Sequence, residues 1–408
     1  MPSNRLDSAL QHQIAEIDAR GASKRAERVI TSVDPPAGGR GPRCHLEGEG
    51  ARPFIRMNSN GYLGMAFHPS VIAAEERAVK AYGSGPQAVR FISGTYSPHL
   101  NLERRLAEFH GREAAMIFSS AYSTVMSVLP ALITRETAVI SDELNHNCII
   151  NAIRLAQPKQ KLLYRHADLG ELEKALTEAT DSCERVIVVS DGVFSMRGDH
   201  APLHEIQALA AGYDQRCAEN VVTVLDDSHG VGAFGATGRG TEEVTGSVVD
   251  VLVATLGKSL GVNGGYVVGS RVLVDFLRET CPAYVYSNPI TPGEAAAALA
   301  ALDVLDSTDG VALVAHTRAM AMRLREGFTS LGFETIPGEH PVVPLVTRDT
   351  DLTRRLVMHL YGHGILATGL SYPVVPRGQE EIRFQVSADL TEMDVDEVLG
   401  ALKAFAPT

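Results

Sequence analysis

The chain has 408 residues, of which 45% are apolar and 21% are charged, and its net charge is −12. This length predicts about two or three domains whose cores need no disulfide or metal, and the acidic balance argues against nucleic-acid and anionic-membrane surfaces, which require clustered positive charge. The five cysteines are scattered without CxxC spacing, and no apolar run resembles a signal peptide or approaches the ~20 residues of a membrane helix, so we expect a cytoplasmic protein without a metal site.

Residues 1–55 are predicted to form an N-terminal arm that packs on something larger, such as a partner subunit. Gly21 is a typical C-terminal stop for a helix, and residues 34–42, rich in proline and glycine, predict a turn or loop. Before that stop, four apolar residues fall on one face of a helix: Leu6, Leu10, Ile14 and Ile17.

Residues 56–310 alternate short apolar runs with helical stripes such as Leu102, Leu106 and Phe109. Because predicted strands alternate with helices, we predict an α/β domain whose mostly parallel sheet carries helices on both faces. In such sheets, ligands bind where the strands end, which directs attention to the residues after each strand. The predicted buried strands are residues 114–118, 185–189, 221–225, 251–255 and 265–268.

Residues 311–408 are predicted to form a smaller C-terminal α+β domain. Apolar periodicity predicts helices near 314–330, 352–363 and 395–405. Strands are predicted near 341–346, 365–368 and 382–386.

A lysine follows the predicted strand 251–255, in the run LGKSLG. Desolvation there would depress the pKa of the Lys258 ammonium, and a lysine with a depressed pKa is a nucleophile that can form a Schiff base. A phosphate-binding lysine is the alternative. A P-loop is excluded because Leu252 stands where that motif needs glycine, and residues 261–265 do not match the dinucleotide pattern GxGxxG.

The strand 221–225 ends in DDSHG, which places Asp226 at the strand end and His229 three residues later. These two side chains could hold a ring nitrogen and a neighbouring polar atom of one ligand. The alternative is a loop in which the aspartate caps turn amides.

Three further features allow both a functional and a structural interpretation. The run SSAYS after strand 114–118 opens a helix and could bind an anion, or it could be an ordinary serine N-cap. Arg383 stands among apolar residues of a strand and could bind a carboxylate or form a structural salt bridge. His146 could face a ring or lie in a loop. Together with the lysine and the acid, this set is what pyridoxal 5′-phosphate (PLP) needs.

Nine segments carry a resemblance to a known family over residues 27–405. The chain resembles the α-oxoamine synthases, PLP enzymes of the aspartate-aminotransferase fold (fold type I), and is most similar to their glycine C-acetyltransferase branch. The segments are ERVITS (27–32), GYLGMAFHP (61–69), VRFISGT (89–95), ISDELNHNCII (140–150), DGVFSMRGD (191–199), DDSHGVGAFG (226–235), TLGKSLG (255–261), YSNPI (286–290) and SYPVVPRGQEEIRFQVSA (371–388).

The resemblance implies a role for each residue around the PLP ring. Lys258 would bind the cofactor aldehyde, and Asp226 would pair with the ring nitrogen. His229 and Ser195 would bond near the phenolic oxygen, and His146 would stack on the ring face.

The resemblance also implies a homodimer with shared active sites. The cofactor phosphate would lie on the amides of Ala121 and Tyr122 and on Thr255. Two residues of the second subunit, Ser287 and Asn288, would also reach it. The substrate space would be bordered by Asn60 and His146, and Arg383 would take the amino-acid carboxylate.

The implied reaction condenses glycine or another small amino acid with an acyl-CoA thioester, and releases CoA and an α-amino ketone or β-keto amino acid. Three runs depart from the branch pattern: NGYLG (60–64), SSAYSTV (119–125) and GVNGGY (261–266). An α-oxoamine synthase of secondary metabolism with a non-glycine substrate therefore stays open. Transamination, elimination and cofactor binding without catalysis also stay open.

Overall fold

The computed structural model describes residues 4–19, 23–372 and 375–405. The predicted helix stop at Gly21 and residues 373–374 of the last family segment lie outside the described residues. The helices are α1 (Asn4–Ala19), α2 (Pro69–Tyr82), α3 (Ser97–Phe109), α4 (Ala121–Leu132), α5 (Asn147–Ala156), α6 (Leu169–Thr180), α7 (Leu203–Tyr213), α8 (Thr241–Thr245), α9 (Arg271–Thr280), α10 (Pro282–Val285), α11 (Pro292–Leu305), α12 (Thr308–Ser330), α13 (Thr350–Gly362) and α14 (Glu392–Lys403).

The strands form one large sheet, one smaller sheet and two short pairs. They are β1 (Ile30–Asp34), β2 (Arg43–Leu46), β3 (Ile55–Arg56), β4 (Ala114–Phe118), β5 (Thr137–Asp142), β6 (Gln160–Tyr164), β7 (Arg185–Asp191), β8 (Val221–Asp226), β9 (Val251–Thr255), β10 (Gly265–Gly269), β11 (Glu334–Thr335), β12 (Val342–Val346), β13 (Ile365–Leu366), β14 (Thr368–Leu370) and β15 (Glu381–Gln385).

The large sheet has seven strands in the order β4-β10-β9-β8-β7-β5-β6. Strand β10 is antiparallel to both of its neighbours, and the pairings from β9 through to β6 are all parallel. The predicted mostly parallel α/β sheet is therefore confirmed, and all five predicted runs are strands of it. Strands β5 and β6 were not predicted.

Side chains of each central strand alternate between two apolar layers, as the period of two in a strand requires. In β9, Leu252 and Ala254 pack in the layer with α3 and α11, whereas Val251 and Val253 pack in the layer with α4 and α5. These four side chains are at most 1% exposed. Burying a side chain of leucine size contributes about 1.5–3 kcal/mol to folding stability. The two apolar layers therefore hold β9, and with it the sheet edge at which β8 and β9 end.

The C-terminal region is an antiparallel sheet, β11-β12-β15-β14, covered by α12, α13 and α14. The predicted strand near 365–368 is two strands, of which β13 pairs in parallel with β3. Helix α14 begins before the predicted residue 395, because Thr391 and Asp394 form a capping box. Strand β3 spans the predicted boundary at residue 55 and pairs with β13 of the C-terminal region. The domain limits stay a prediction.

Helix α1 confirms the predicted N-terminal helix, and its apolar stripe is exposed, from Leu6 at 58% to Ile17 at 38%. The stripe is therefore open to another chain. Within residues 4–19, 23–372 and 375–405, no helix combines the length and the apolar character needed to cross a bilayer.

His166 ties together the two loops that lead to the site. The loop after β5 carries His146, and the loop after β7 carries Ser195. Nδ1 of His166 lies 3.2 Å from Oδ2 of Asp142 at the end of β5, and Nε2 lies 3.3 Å from Oδ2 of Asp199 in the second loop. Burial lowers the pKa of His166, but hydrogen bonds and charge attraction from both carboxylates outweigh it and raise the pKa to about 9.

We predict that His166→Gln lowers the free energy of unfolding by about 2 kcal/mol near pH 6, because the buried Asp142 carboxylate and the partly buried Asp199 carboxylate lose a cationic hydrogen-bond donor. The folded pKa of His166 is raised, so its stabilisation is complete below about pH 6.5 and is lost as the pH rises through about 9. Urea unfolding at about pH 6 and about pH 10 measures both values. The exposed His204→Gln should change neither value. An equal loss at both pH values for His166→Gln would contradict the prediction.

Candidate active site

A cavity of about 290 Å³ opens at the carboxyl ends of β7, β8 and β9. Of the sequence-predicted site residues, eight line it: Ala121, Tyr122, His146, Ser195, Asp226, His229, Thr255 and Lys258. Ser120 of the predicted run SSAYS also lines it, and three residues that were not predicted contribute polar or thiol groups: Cys148, Asp191 and Ser228. The fold therefore brings the predicted lysine, acid, histidines and helix terminus to one place.

Lys258 lies in the turn that follows β9. Burial lowers the pKa of its ammonium, although the charges of Asp226 and Asp191 act in the opposite direction. In the part of the chain that the structure describes, its Nζ has no hydrogen-bond or salt-bridge partner. The turn closes at Gly261, whose φ is +73°, and a Cβ there would collide with the backbone of Ala66. Lys258 is thus a half-buried amine without a partner among the described residues, as a Schiff-base lysine requires.

Asp226 is the last residue of β8 and is 7% exposed. Its Oδ1 accepts a hydrogen bond from the Ser228 amide at 3.1 Å, and its Oδ2 accepts one from the Cys148 thiol at 3.7 Å. Both sequence interpretations therefore apply, because the carboxylate caps a turn amide and also lines the cavity. The Ser228 hydroxyl oxygen is buried and has no hydrogen-bond partner in the described part of the chain.

Two aromatic side chains, Tyr62 and His340, hydrogen-bond His229. Its Nδ1 lies 2.8 Å from the Tyr62 hydroxyl, and its carbonyl accepts a hydrogen bond from Nε2 of His340 at 2.9 Å. Burial, followed by the charge of Lys258, lowers the pKa of His229 well below its ordinary value. Burial also raises the pKa of Tyr62, so its hydroxyl stays protonated and can donate to Nδ1. The Nε2–H of a neutral His229 is then free to donate.

His146 is the N-cap of α5, and its Nδ1 accepts a hydrogen bond from the Cys148 amide at 3.3 Å. Its own backbone N–H donates to Oδ2 of Asp191 at 2.9 Å. Burial lowers the pKa of His146, which favours the neutral ring. A neutral aromatic ring on the cavity wall suits stacking on a flat ligand.

Helix α4 points its N-terminus at the cavity. The Ser120 hydroxyl accepts a hydrogen bond from the Ser123 amide at 3.0 Å, so the serine N-cap interpretation is confirmed. The amides of Ala121 and Tyr122 belong to the first turn, which has no helical acceptor, and both residues line the cavity. This end of the cavity can therefore also bind a phosphate.

Asp191, at the end of β7, is the main acidic group that sequence reasoning missed. Burial and the nearby charge of Asp226 raise its pKa well above the ordinary value. It begins the family segment 191–199 two residues after the predicted strand 185–189, so the rule of examining strand ends could have found it. Tyr62 and His340 carried no comparable signal.

The other four predicted residues lie outside this cavity. Arg383 on β15 donates from Nη1 to the Ser195 carbonyl at 3.0 Å, and its buried Nε has no partner within residues 4–19, 23–372 and 375–405. It makes no salt bridge with any described residue, so that alternative is wrong. Asn60 accepts a hydrogen bond from Gln385. Ser287 and Asn288 are exposed, and their reach into a second subunit stays a prediction.

The residues present fit PLP. The cavity joins an unattached amine, an acid and a helix N-terminus, which match the aldehyde, ring nitrogen and phosphate of that cofactor. The unpartnered Ser228 hydroxyl is a further polar group in the same cavity. The space between these groups is therefore suited to a phosphorylated aromatic aldehyde.

Comparison with known proteins identifies a matching family model and similar proteins along most of the chain. A family model described as aminotransferase class I and II matches residues 52–402. The 2-amino-3-ketobutyrate coenzyme A ligase of Bos taurus is 40% identical over 97% of this chain and 91% of its own. The 8-amino-7-oxononanoate synthase of Thermosipho melanesiensis is 38% identical over 85% of this chain and 87% of its own.

A solved serine palmitoyltransferase of S. paucimobilis, described with bound PLP–myriocin, has a TM-score of 0.86 and 25% identity, and the match covers 98% of this chain and 97% of that one. The predicted fold type I is thereby confirmed. The chain belongs to the aminotransferase class I and II family and, within it, to the α-oxoamine synthases.

Proposed function

We propose that this chain is a PLP-dependent acyltransferase that condenses an amino acid with an acyl-CoA thioester and releases CoA. The product is an α-amino ketone or β-keto amino acid, and glycine or another small amino acid is the proposed acceptor. One observation carries the proposal: the half-buried Lys258 amine has no hydrogen-bond or ion-pair partner among the described residues and shares a cavity with Asp226 and the N-terminus of α4. The names of the two curated relatives support acyl transfer.

Each end of the cofactor has a matching group in the cavity. The Lys258 amine would hold the aldehyde end, the Asp226 carboxylate would keep a proton on the ring nitrogen, and the ring of His146 would stack on the cofactor. The amides of Ala121 and Tyr122, with the hydroxyl of Thr255, would hold the phosphate. When bound, PLP supplies an electron-accepting ring that stabilises negative charge on the α-carbon of an amino acid.

The remaining chemistry belongs to side chains of this chain. The low pKa of Lys258 lets its amine take the proton from the α-carbon of the substrate. The Nε2–H of His229 would donate a hydrogen bond near the phenolic oxygen of the cofactor, beside Lys258. Arg383 binds the substrate carboxylate with its free donors, which orients the α-carbon bonds for proton removal and for attack on the thioester.

We predict that thiol release requires both an amino acid and an acyl-CoA. A thiol reagent measures free CoA with each substrate alone and with the two together. Lys258→Ala should lower turnover by roughly 10³-fold or more, because proton transfer and cofactor attachment depend on that amine. Keto-acid formation from the amino acid alone, without thiol release, would establish transamination and overturn the proposal.

The proposed homodimer covers an exposed apolar patch formed by Phe91, Ile92 and Tyr286. Phe91 and Ile92 are each 68% exposed, and Tyr286 is 82% exposed. The segments that carry them touch, since the Arg90 guanidinium stacks on the ring of Tyr284 at 5.3 Å. Contiguous exposed apolar side chains are typical of protein interfaces. Ser287 directly follows the patch and would enter the site of the second copy.

We predict that replacing Phe91 and Ile92 together by Glu converts the dimer to a monomer and abolishes CoA release. Two carboxylates cannot be buried in an apolar interface without partners, and each site would lose the residues that the other subunit supplies. Light scattering measures the mass. Met358→Glu, at a position 58% exposed on α13, is the control and should leave the mass unchanged. A double variant that keeps twice the chain mass would exclude this patch as the interface.

A further inference from the structure

One face of β15 carries three polar side chains, of which Arg383 donates to the Ser195 carbonyl and Gln385 donates to Asn60, while Glu381 makes no side-chain hydrogen bond to any described residue. Glu381, Arg383 and Gln385 alternate with Ile382 and Phe384, which point into the apolar core. Among the residues that the structure describes, Oε1 of Glu381, Nε of Arg383 and Oε1 of Gln385 are buried atoms without a hydrogen-bond partner. Buried polar groups in folded proteins are nearly always satisfied, and leaving one unpaired costs about 1–3 kcal/mol. Such a row on one strand indicates a surface built for a polar ligand.

Glu381 opens onto a second cleft beside the proposed active site. The cleft has a volume of about 330 Å³, and Ser195 lines both this cleft and the cavity of Lys258. The two spaces are therefore adjacent, with Arg383 bound to the Ser195 carbonyl between them. The apolar part of the cleft wall comes from Leu144, Phe194, Met196, Ile336, Val346, Val375 and Pro376.

The other charged side chains that line the cleft already have partners. Arg197 is paired with Asp199 at 2.7 Å, and Arg348 is paired with Glu334. Glu381 is 4% exposed, and its carboxyl has no hydrogen-bond or ion-pair partner in residues 4–19, 23–372 and 375–405. It is thus the one acidic group of the cleft, within those ranges, that is left for a ligand.

The surroundings of Glu381 decide which ligand group fits. Burial raises the pKa of Glu381 to about 7, although the charges of Arg197 and Arg383 act against the shift. Near neutral pH the carboxyl is therefore present in both protonation states. A hydroxyl group suits both, because it donates to a carboxylate and accepts from a carboxylic acid. An ammonium group would be repelled by the unpaired guanidinium of Arg383.

We propose that the cleft receives a hydroxyl group of the substrate, which Glu381 binds while Arg383 holds the amino-acid carboxylate. This inference rests on the proposed acyltransferase function and specifies its substrate class. The hydroxyl belongs either to the side chain of the amino acid or to the acyl chain of the thioester, and the test has one arm for each source.

The test compares substrate pairs that differ by one hydroxyl group. Serine and alanine are paired with acetyl-CoA in one arm, and 3-hydroxybutyryl-CoA and butyryl-CoA are paired with glycine in the other. Thiol release gives kcat/KM, and calorimetry gives the affinity for each substrate without its co-substrate. We expect the hydroxylated member to be preferred by about 10-fold or more in one arm by both readouts, because a site that binds a hydroxyl rejects the analogue that lacks it.

Variants at position 381 assign the preference to the carboxyl. Glu381→Leu should reduce the ratio within the preferred pair to about one, because the carboxyl proposed to bind the hydroxyl is then lost. Glu381→Gln keeps a carbonyl oxygen as acceptor and should retain part of the preference, which guards against a folding defect. Glu392→Gln, at an exposed position on α14, is the matched control and should keep the full ratio.

Each possible result of these measurements either supports or overturns the inference. Ratios within about twofold of one in both arms, or an unchanged ratio in Glu381→Leu, would overturn the inference while CoA release continues. No CoA release from any pair would instead overturn the proposed function and this inference with it.

Discussion

The site depends on the burial of one amine at the edge of a parallel sheet. Water stabilises an ammonium strongly. The loss of water contacts in the cavity therefore lowers the pKa of Lys258, even with Asp226 and Asp191 close by. The two apolar layers around β9 hold this turn in place, and parallel pairing with β8 brings the acid to the same edge. A reactive lysine, an acid and a helix terminus thus meet because adjacent parallel strands end together.

The second constraint is contact between the large sheet and the C-terminal sheet. Arg383 belongs to β15, yet its guanidinium bonds the carbonyl of Ser195 in the loop after β7. Glu381 on the same strand faces the cleft beside that loop. The groups proposed to bind substrate therefore depend on the packing of both sheets, whereas the groups proposed to bind the cofactor come mostly from the large sheet and its loops.

Much of this arrangement could be predicted from local patterns. Strands β4 and β9 have the predicted bounds, because each is a short run of apolar residues that packs on both faces. Strand β6 escaped prediction because it lies at the sheet edge, where only its last residue, Tyr164, is buried. Lys258 and Asp226 could be found from strand ends alone. Tyr62 and His340 could not, because they reach His229 across 167 and 111 residues of sequence, and Ser287 depends on a second subunit.

The most direct test is to identify the residue that binds the cofactor. Borohydride reduction of the PLP-loaded protein, followed by peptide mapping, locates the lysine that carries the pyridoxyl group. This account predicts the modification on Lys258. Modification of a different lysine, or of none, would contradict the assignment of the buried amine beside Asp226 as the reactive centre.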